Sequence, residues 1–187
     1  MEKIRCGWCE KDDLYRKYHD EEWGSPVYDD QKIFEFLILE SFQAGLSWYT
    51  ILSKREHFTK AFDGFDYKKI AKYQDKKIEE LMQNSGIIRN RLKILATVNN
   101  AQKFMEVRKE FGTFSKYIWG FVGGEPIDNK PKSLKDVPAT TEISDILSKD
   151  LKKRGFKFMG STVVYAHMQA TGMVNDHIEN CFLRLQS

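Results

Sequence analysis

Apolar residues recur along most of this chain at intervals of three and four, and no β-branched run alternates with period two. That pattern predicts helices almost throughout and an all-α fold. Asp12 or Asp13 is placed to cap a first short helix carrying Tyr15, Tyr18, His19 and Glu22. Asp29 or Asp30 caps a second that runs to about Ala44, where Gly45 stops it. Ser47 opens a third, with Trp48, Ile51, Leu52, Phe58 and Phe62 on or near one face. Asp75 opens a helix ending near Asn84, and Leu92, Leu95, Val98, Ala101 and Met105 form the expected buried stripe of a long helix ending near Gly112. A short helix spans 113–121. Residues 123–138 hold three of the four prolines and form the one clear loop. Beyond it lie an amphipathic helix with Ile143, Ile146, Leu147 and Leu151, another from Ser161 to Gly172, and a last short one carrying His177 and Cys181.

Composition adds bounds. With 187 residues, 41% hydrophobic and 13% aromatic, the chain is sized for one domain, 1–187, built as two helical lobes sharing a core, and disorder is excluded. No apolar run approaches the roughly 18 residues of a membrane span, and the start MEKIRCGWCEKDD lacks the apolar stretch of a secretory signal. A cytoplasmic protein with no membrane partner is expected, and a monomer, since nothing resembles a coiled-coil seam. A net charge of +3 says little by itself about nucleic acid.

Three features carry candidate chemistry. The cysteines, Cys6, Cys9 and Cys181, are too few and odd in number for a disulfide framework, and read as thiols or metal ligands. His177 and Cys181, four apart, share a face if helical. Joined by His19 and one N-terminal cysteine, they complete a tetrahedral Cys₂His₂ shell for a structural zinc tying the two ends of the chain together. Spacing alone does not choose between Cys6 and Cys9. Glu40 falls on an apolar stripe with Phe36, Leu37 and Ala44, where an ionised carboxylate is costly. It either reaches a rim or an arginine, or it is a pocket acid facing a cationic ligand. Trp8, Tyr15, Tyr18, Trp23 and Trp48 cluster near it in sequence, as core or as a stacking platform for a flat ring. Finally, Ser85-Gly86-Ile87-Ile88-Arg89 lies between two predicted helices. It is either a simple C-cap or a hairpin whose backbone amides face a phosphate, with Arg89, Arg91 and Lys93 adding charge.

Six segments together resemble the DNA-3-methyladenine glycosylase I family of helix-hairpin-helix enzymes: RCGW at 5–8, YHDEEWG at 18–24, LESFQAGLSW at 39–48, SGIIRNRLKI at 85–94, LSKDLKKRGFKFMG at 147–160 and GMVNDHIENC at 172–181. They run in family order over nearly the whole chain. The resemblance implies zinc on Cys6, His19, His177 and Cys181, preferring Cys6 because the family's cysteine directly precedes the Gly-Trp pair. It implies a base pocket with Tyr18 and Glu40 as hydrogen-bonding groups, Trp48 as the stacking face, and Trp8, Tyr15 and Trp23 as walls. Glu40 is then the catalytic candidate, recognising the base and helping to stabilise charge.

The same resemblance places the hairpin, near 85–91, on Gly86, Ile87, Ile88 and Arg89, and a duplex wedge on Gly45 and Leu46. The expected activity is excision of 3-methyladenine from double-stranded alkylated DNA, with the free base as product. Most helix-hairpin-helix glycosylases carry an essential Asp downstream of the hairpin. None occurs from Phe104 to Lys116, which agrees with this branch. With no lysine singled out as a nucleophile, base release without strand cleavage is expected. A DNA-binding module, a zinc hydrolase and a purine-binding protein are the rival classes. A zinc hydrolase would need an open coordination position, which a Cys₂His₂ shell denies.

Overall fold

In the computed structural model, which describes residues 3–184, the chain is mostly helical. The helices are α1 (Asp13–Glu21), α2 (Asp30–Gln43), α3 (Trp48–Leu52), α4 (Arg55–Ala61), α5 (Tyr67–Ile70), α6 (Asp75–Gln83), α7 (Arg91–Phe111), α8 (Phe114–Trp119), α9 (Glu142–Lys153) and α10 (Ser161–Ala170). One short parallel pair, β1 (Ile127–Asp128) with β2 (Val174–Asn175), joins the loop after α8 to the segment after α10.

Local capping sets the starts. Asp12 accepts the Tyr15 amide at 2.9 Å, Asp29 that of Lys32 at 2.8 Å, and Asn90 that of Lys93 at 3.2 Å. α2 is the central element. Ile33, Phe34 and every residue from Phe36 to Phe42 are buried, so it is covered on all sides rather than along one stripe. Phe34 meets Phe104 of α7 edge-on at 5.0 Å, and Phe104 stacks on Phe114 of α8 at 4.1 Å. Each such ring contributes on the order of 1.5–3 kcal/mol by leaving water. Asp30 ties the start of α2 to α8 by accepting the amides of Phe114 and Ser115 at 3.1 and 2.8 Å.

Four expectations are corrected. The third helix is two, α3 and α4. The Ser53 hydroxyl donates to the Thr50 carbonyl at 3.1 Å, and Lys54 turns at φ −103°, ψ 0°. Second, the apolar stripe assigned to α7 largely faces water: Leu92 is 70% exposed, and Leu95 and Met105 are exposed too. Its buried face carries Ile94, Ala101, Phe104 and Val107 together with Lys93, Thr97 and Asn100. Third, His177 and Cys181 are not on a helix. They follow β2 in irregular, turn-containing chain, with the Asn175 carboxamide oxygen accepting the His177 amide at 3.1 Å. Last, the 123–138 segment is more than a connection, since it contains β1 and a 3₁₀ turn, Leu134–Asp136, closed by reciprocal Ser133–Asp136 bonds.

Candidate active site and metal centre

A small second hydrophobic cluster, built on Tyr18, Phe36, Leu52 and Ala170, lies beside the main core and has Trp8, Tyr15, Trp23 and Trp48 packed on it. It surrounds an open cavity of about 210 Å³, smaller than a drug-sized site of roughly 300 Å³ or more. All six residues expected for a base pocket, Trp8, Tyr15, Tyr18, Trp23, Glu40 and Trp48, line it.

The local sequence explains their convergence. Residues i and i+3 share a helix face, so α1 presents Tyr15 and Tyr18 together. α2 presents Glu40 from its last full turn. Ala44 (φ −46°, ψ 114°) followed by Gly45 (φ +82°) forms a type II turn closed by the Leu46 amide on the Gln43 carbonyl at 2.6 Å. Such a turn needs glycine at its third position. Ser47 then caps α3, its hydroxyl accepting the Thr50 amide at 3.2 Å, and the chain doubles back to set Trp48 against Tyr18, ring centroids 5.4 Å apart. Trp8 meets Tyr15 at 4.9 Å and Trp23 at 5.1 Å, both edge-on.

The electrostatics are unbalanced. Glu40 is buried, its Oε2 has no hydrogen-bond partner, and burial alone raises its pKa to about 8. The indole N–H of Trp48 is likewise buried and unpartnered. Tyr18 is pushed well above its ordinary value by burial and then by the Glu40 carboxylate. Buried polar groups left without partners cost stability, and such groups mark sites where a ligand supplies the missing partner.

Sequence reasoning missed Gln43, Leu134, Val137, Ala166 and Gln169, which complete the lining. Gln43 was within reach of it, being three residues beyond Glu40 on one helix face. Gln169 is held by donating to Asp176 at 2.7 Å, a carboxylate that also accepts from Tyr165 and Asn129. Leu134 and Val137 come from the proline-bearing loop, which gave no signal.

Behind the aromatic walls, Cys6, His19, His177 and Cys181 are all buried, with their ligand atoms within 4.8 Å of one another. Cys181 Sγ lies 3.6 Å from His19 Nε2 and 3.5 Å from His177 Nδ1, and Cys6 Sγ lies 3.6 Å from His177 Nδ1. A tetrahedral zinc with bonds of about 2.3 Å to sulfur and about 2.0–2.1 Å to nitrogen places S and N about 3.5 Å apart, so the donor set fits the ion. The outward nitrogens are fixed as well. His19 Nδ1–H donates to Asp20 at 2.8 Å, and Asp20 is gripped by both Arg5 Nε and Nη2, while His177 Nε2–H donates to the Trp23 carbonyl at 3.1 Å. Cys9 is outside the cluster, with its thiol donating to the Cys6 carbonyl at 3.0 Å.

Between α6 and α7, the Asn84 side chain accepts the Gly86 amide at 2.8 Å, and a Cβ on Gly86 would sit 2.9 Å from the His57 ring, so a larger residue would have to displace that side chain. Ile87 is anchored in the core, Ile88 packs partly against it, and Arg89 is exposed. Arg91 is exposed and paired with Glu79. Leu46 is exposed at its turn rather than part of the core. Lys93 departs from expectation. It does not add charge to the hairpin surface, being buried with its Nζ donating to the carbonyls of Phe42 and Ala44 at 2.7 and 2.6 Å.

Comparison with known proteins places this arrangement among relatives. The methyladenine glycosylase family model matches residues 8–184. A DNA-3-methyladenine glycosylase of Haemophilus influenzae is 50% identical over 177 residues, covering 95% of this chain and 96% of that one. The crystal structure of a 3-methyladenine DNA glycosylase I superposes with a TM-score of 0.93 at 48% identity, over 96% of this chain and 98% of that one. A tyrosine-to-phenylalanine variant of a 3-methyladenine DNA glycosylase I, crystallised in complex with 3-methyladenine, superposes at 0.92 with 38% identity, over 95% of this chain and 96% of that one.

Proposed function

The chain belongs to the methyladenine glycosylase family, and we propose that it excises 3-methyladenine from alkylated DNA in the cavity between Glu40 and Trp48. The observation that carries this reading is the buried Glu40 Oε2 with no partner, facing a cavity walled by aromatic rings.

The chemistry follows from charge. A 3-methylated adenine in DNA is cationic, so its N-glycosidic bond is already weak. When the bond from N9 to the sugar C1′ breaks, the electron pair stays with the base, which leaves neutral, and the positive charge passes to the sugar. Water adds at C1′ and loses a proton, leaving an abasic site. Little acid catalysis is required. What the protein supplies is selection of the flipped base and stabilisation of positive charge. The incoming cation favours the ionised form of Glu40, and the Trp48 face attracts it through its ring electrons. Ordinary adenine is neutral and leaves the desolvation cost of that carboxylate without return. Among the described residues no lysine lines the cavity, which supports base release without strand cleavage.

The surrounding parts have roles in the same scheme. The helix-hairpin-helix at Gly86–Arg89 grips the duplex backbone through the amides of Ile88 and Arg89 and the exposed Arg89 side chain. Gly45 and Leu46 wedge into the duplex beside the extruded nucleotide. Cys6, His19, His177 and Cys181 hold a structural zinc, which when bound neutralises the two thiolates and fixes the chain's two ends. The protein acts as a cytoplasmic monomer. Among the described residues no helix is long and apolar enough to cross a membrane.

Mass spectrometry of bases released from methylated duplex DNA tests the reaction. Parent protein should release 3-methyladenine, and Glu40→Ala should lower that release far more than it lowers DNA binding. Equal losses in both would remove Glu40 from the pocket chemistry. No release by folded, zinc-loaded parent would leave a DNA-binding or purine-binding role.

A further inference from the structure

Lys93 is a long cation only 6% exposed, on a helix whose nearest other cation, Arg91, is exposed. Its target is specific. The carbonyls of Phe42 and Ala44 stand at the end of α2, where no following helical amide reaches them, and Lys93 Nζ takes both at 2.7 and 2.6 Å. An ammonium there also opposes the negative end of the helix dipole. The Ala44 carbonyl belongs to the central peptide of the type II turn, Gln43-Ala44-Gly45-Leu46. Types I and II differ mainly by a flip of that peptide, and glycine at its third position tolerates both. The bond from Lys93 therefore holds the peptide in one of two available orientations. Lys93 is itself fixed, because its own amide is bound by Asn90, the cap at the end of the hairpin segment.

We propose that Lys93 is a positioning residue for excision: it locks the flip state of the 44–45 peptide and so aims Leu46 relative to the hairpin. This rests on the reading of Gly45 and Leu46 as the duplex wedge. The lysine makes a rigid strut, one end set by the element that grips the backbone and the other by the element that opens the stack. Glu40 lies one turn earlier on α2, Trp8, Tyr15, Tyr18 and Trp23 come from other elements, and Trp48 is held in place by the Ser47 cap of α3 and by its contact with Tyr18, so free-base binding does not depend on the flip state.

The test uses full-length parent, Lys93→Met, Lys93→Arg, Leu46→Ala and the Lys93→Met/Leu46→Ala double variant. Three quantities are measured: single-turnover release of 3-methyladenine from duplex DNA, affinity for free 3-methyladenine by tryptophan fluorescence, and affinity for undamaged duplex. Lys93→Met should slow release by about ten-fold or more, as a displaced positioning group does. Affinity for the free base and for undamaged duplex should stay within about two-fold, and the double variant should be no slower than Leu46→Ala by more than about two-fold. Lys93→Arg, which keeps two donors, should recover most of the rate. The proposal is overturned if Lys93→Met releases base at the parent rate, loses free-base affinity in step with rate, or adds its full effect to that of Leu46→Ala. Should Lys93→Met not fold, the cycle is run with Lys93→Gln under the same criteria. Failure of the parent to release base would instead overturn the proposed function.

Discussion

The imidazole of His177 stands edge-on to the indole of Trp23, centroids 4.8 Å apart at 87°, and donates from Nε2 to the Trp23 carbonyl. Trp8 meets His19 in the same manner at 5.4 Å. Two walls of the cavity therefore rest directly on two imidazoles of the Cys/His cluster. Removing the ion with a chelator, or changing His177→Ala, should lower the melting temperature. It should also weaken 3-methyladenine binding and shift tryptophan emission before global unfolding. Metal content, a melting curve and a fluorescence titration check this. A His177→Ala protein that melts like the parent and keeps its zinc would end the clamp model.

Glu40 makes opposite demands on stability and activity. Its folded pKa, about 8, lies above the ordinary 4.5, so the native state holds a proton that the unfolded chain releases. Its contribution is complete below about pH 4.5 and is lost as pH rises through 8. Glu40→Gln should raise the melting temperature at pH 8–9 relative to the parent and change it little near pH 4.5, while excision falls sharply. In the parent, kcat/KM for the cationic lesion should climb as pH rises toward 8 and then level, and the variant should lack that limb. Parallel melting and rate profiles check both halves.

Trp48 lines the cavity and is the proposed stacking face, so its removal should be felt in affinity. A stacked base is worth about 1–3 kcal/mol, so Trp48→Ala should weaken free 3-methyladenine binding by roughly ten- to a hundred-fold. Trp48→Phe should lose less. Calorimetric titration of the free base against both variants decides it.

Arg89 is exposed beside the turn between α6 and α7, so its contribution to DNA binding should be electrostatic. Arg89→Ala should weaken binding evenly across sequences and reduce the slope of log affinity against log salt by about 1. Stability should barely change. Binding isotherms at several salt concentrations read the slope.

Much of this was legible because the signals were local. Asp12, Asp29 and Ser47 cap helices within three residues of themselves, and Gly45 and Gly112 end helices by adopting positive φ. The odd position of Glu40 showed in the sequence because its neighbours on the helix are apolar. The face of α7 did not. Thr97 bonds its own helix at the Lys93 carbonyl, while Asn100 is satisfied by the Lys157 backbone and Lys93 by carbonyls some fifty residues away. Those partners let polar groups turn inward while Leu92 and Leu95 turn outward, and periodicity carries no trace of them. His177 and Cys181 converge with the N-terminal ligands, though not through a helical repeat. The pairing of β2 with β1 and the turn that follows bring them there, and a four-residue spacing has no unique geometry outside a helix.

The loop bearing Leu134 and Val137 gives the cavity one wall from a segment held by two strand residues and a capped 3₁₀ turn, while the other walls belong to packed helices and to Trp8 and Trp23, which rest on the Cys/His cluster. On the proposed reading, this wall of the lesion pocket lies apart from both the hairpin and the wedge. Substitutions in 131–137 can alter which alkylated bases are admitted without disturbing the helices, so this loop is where related enzymes can diverge in substrate range at small cost to folding.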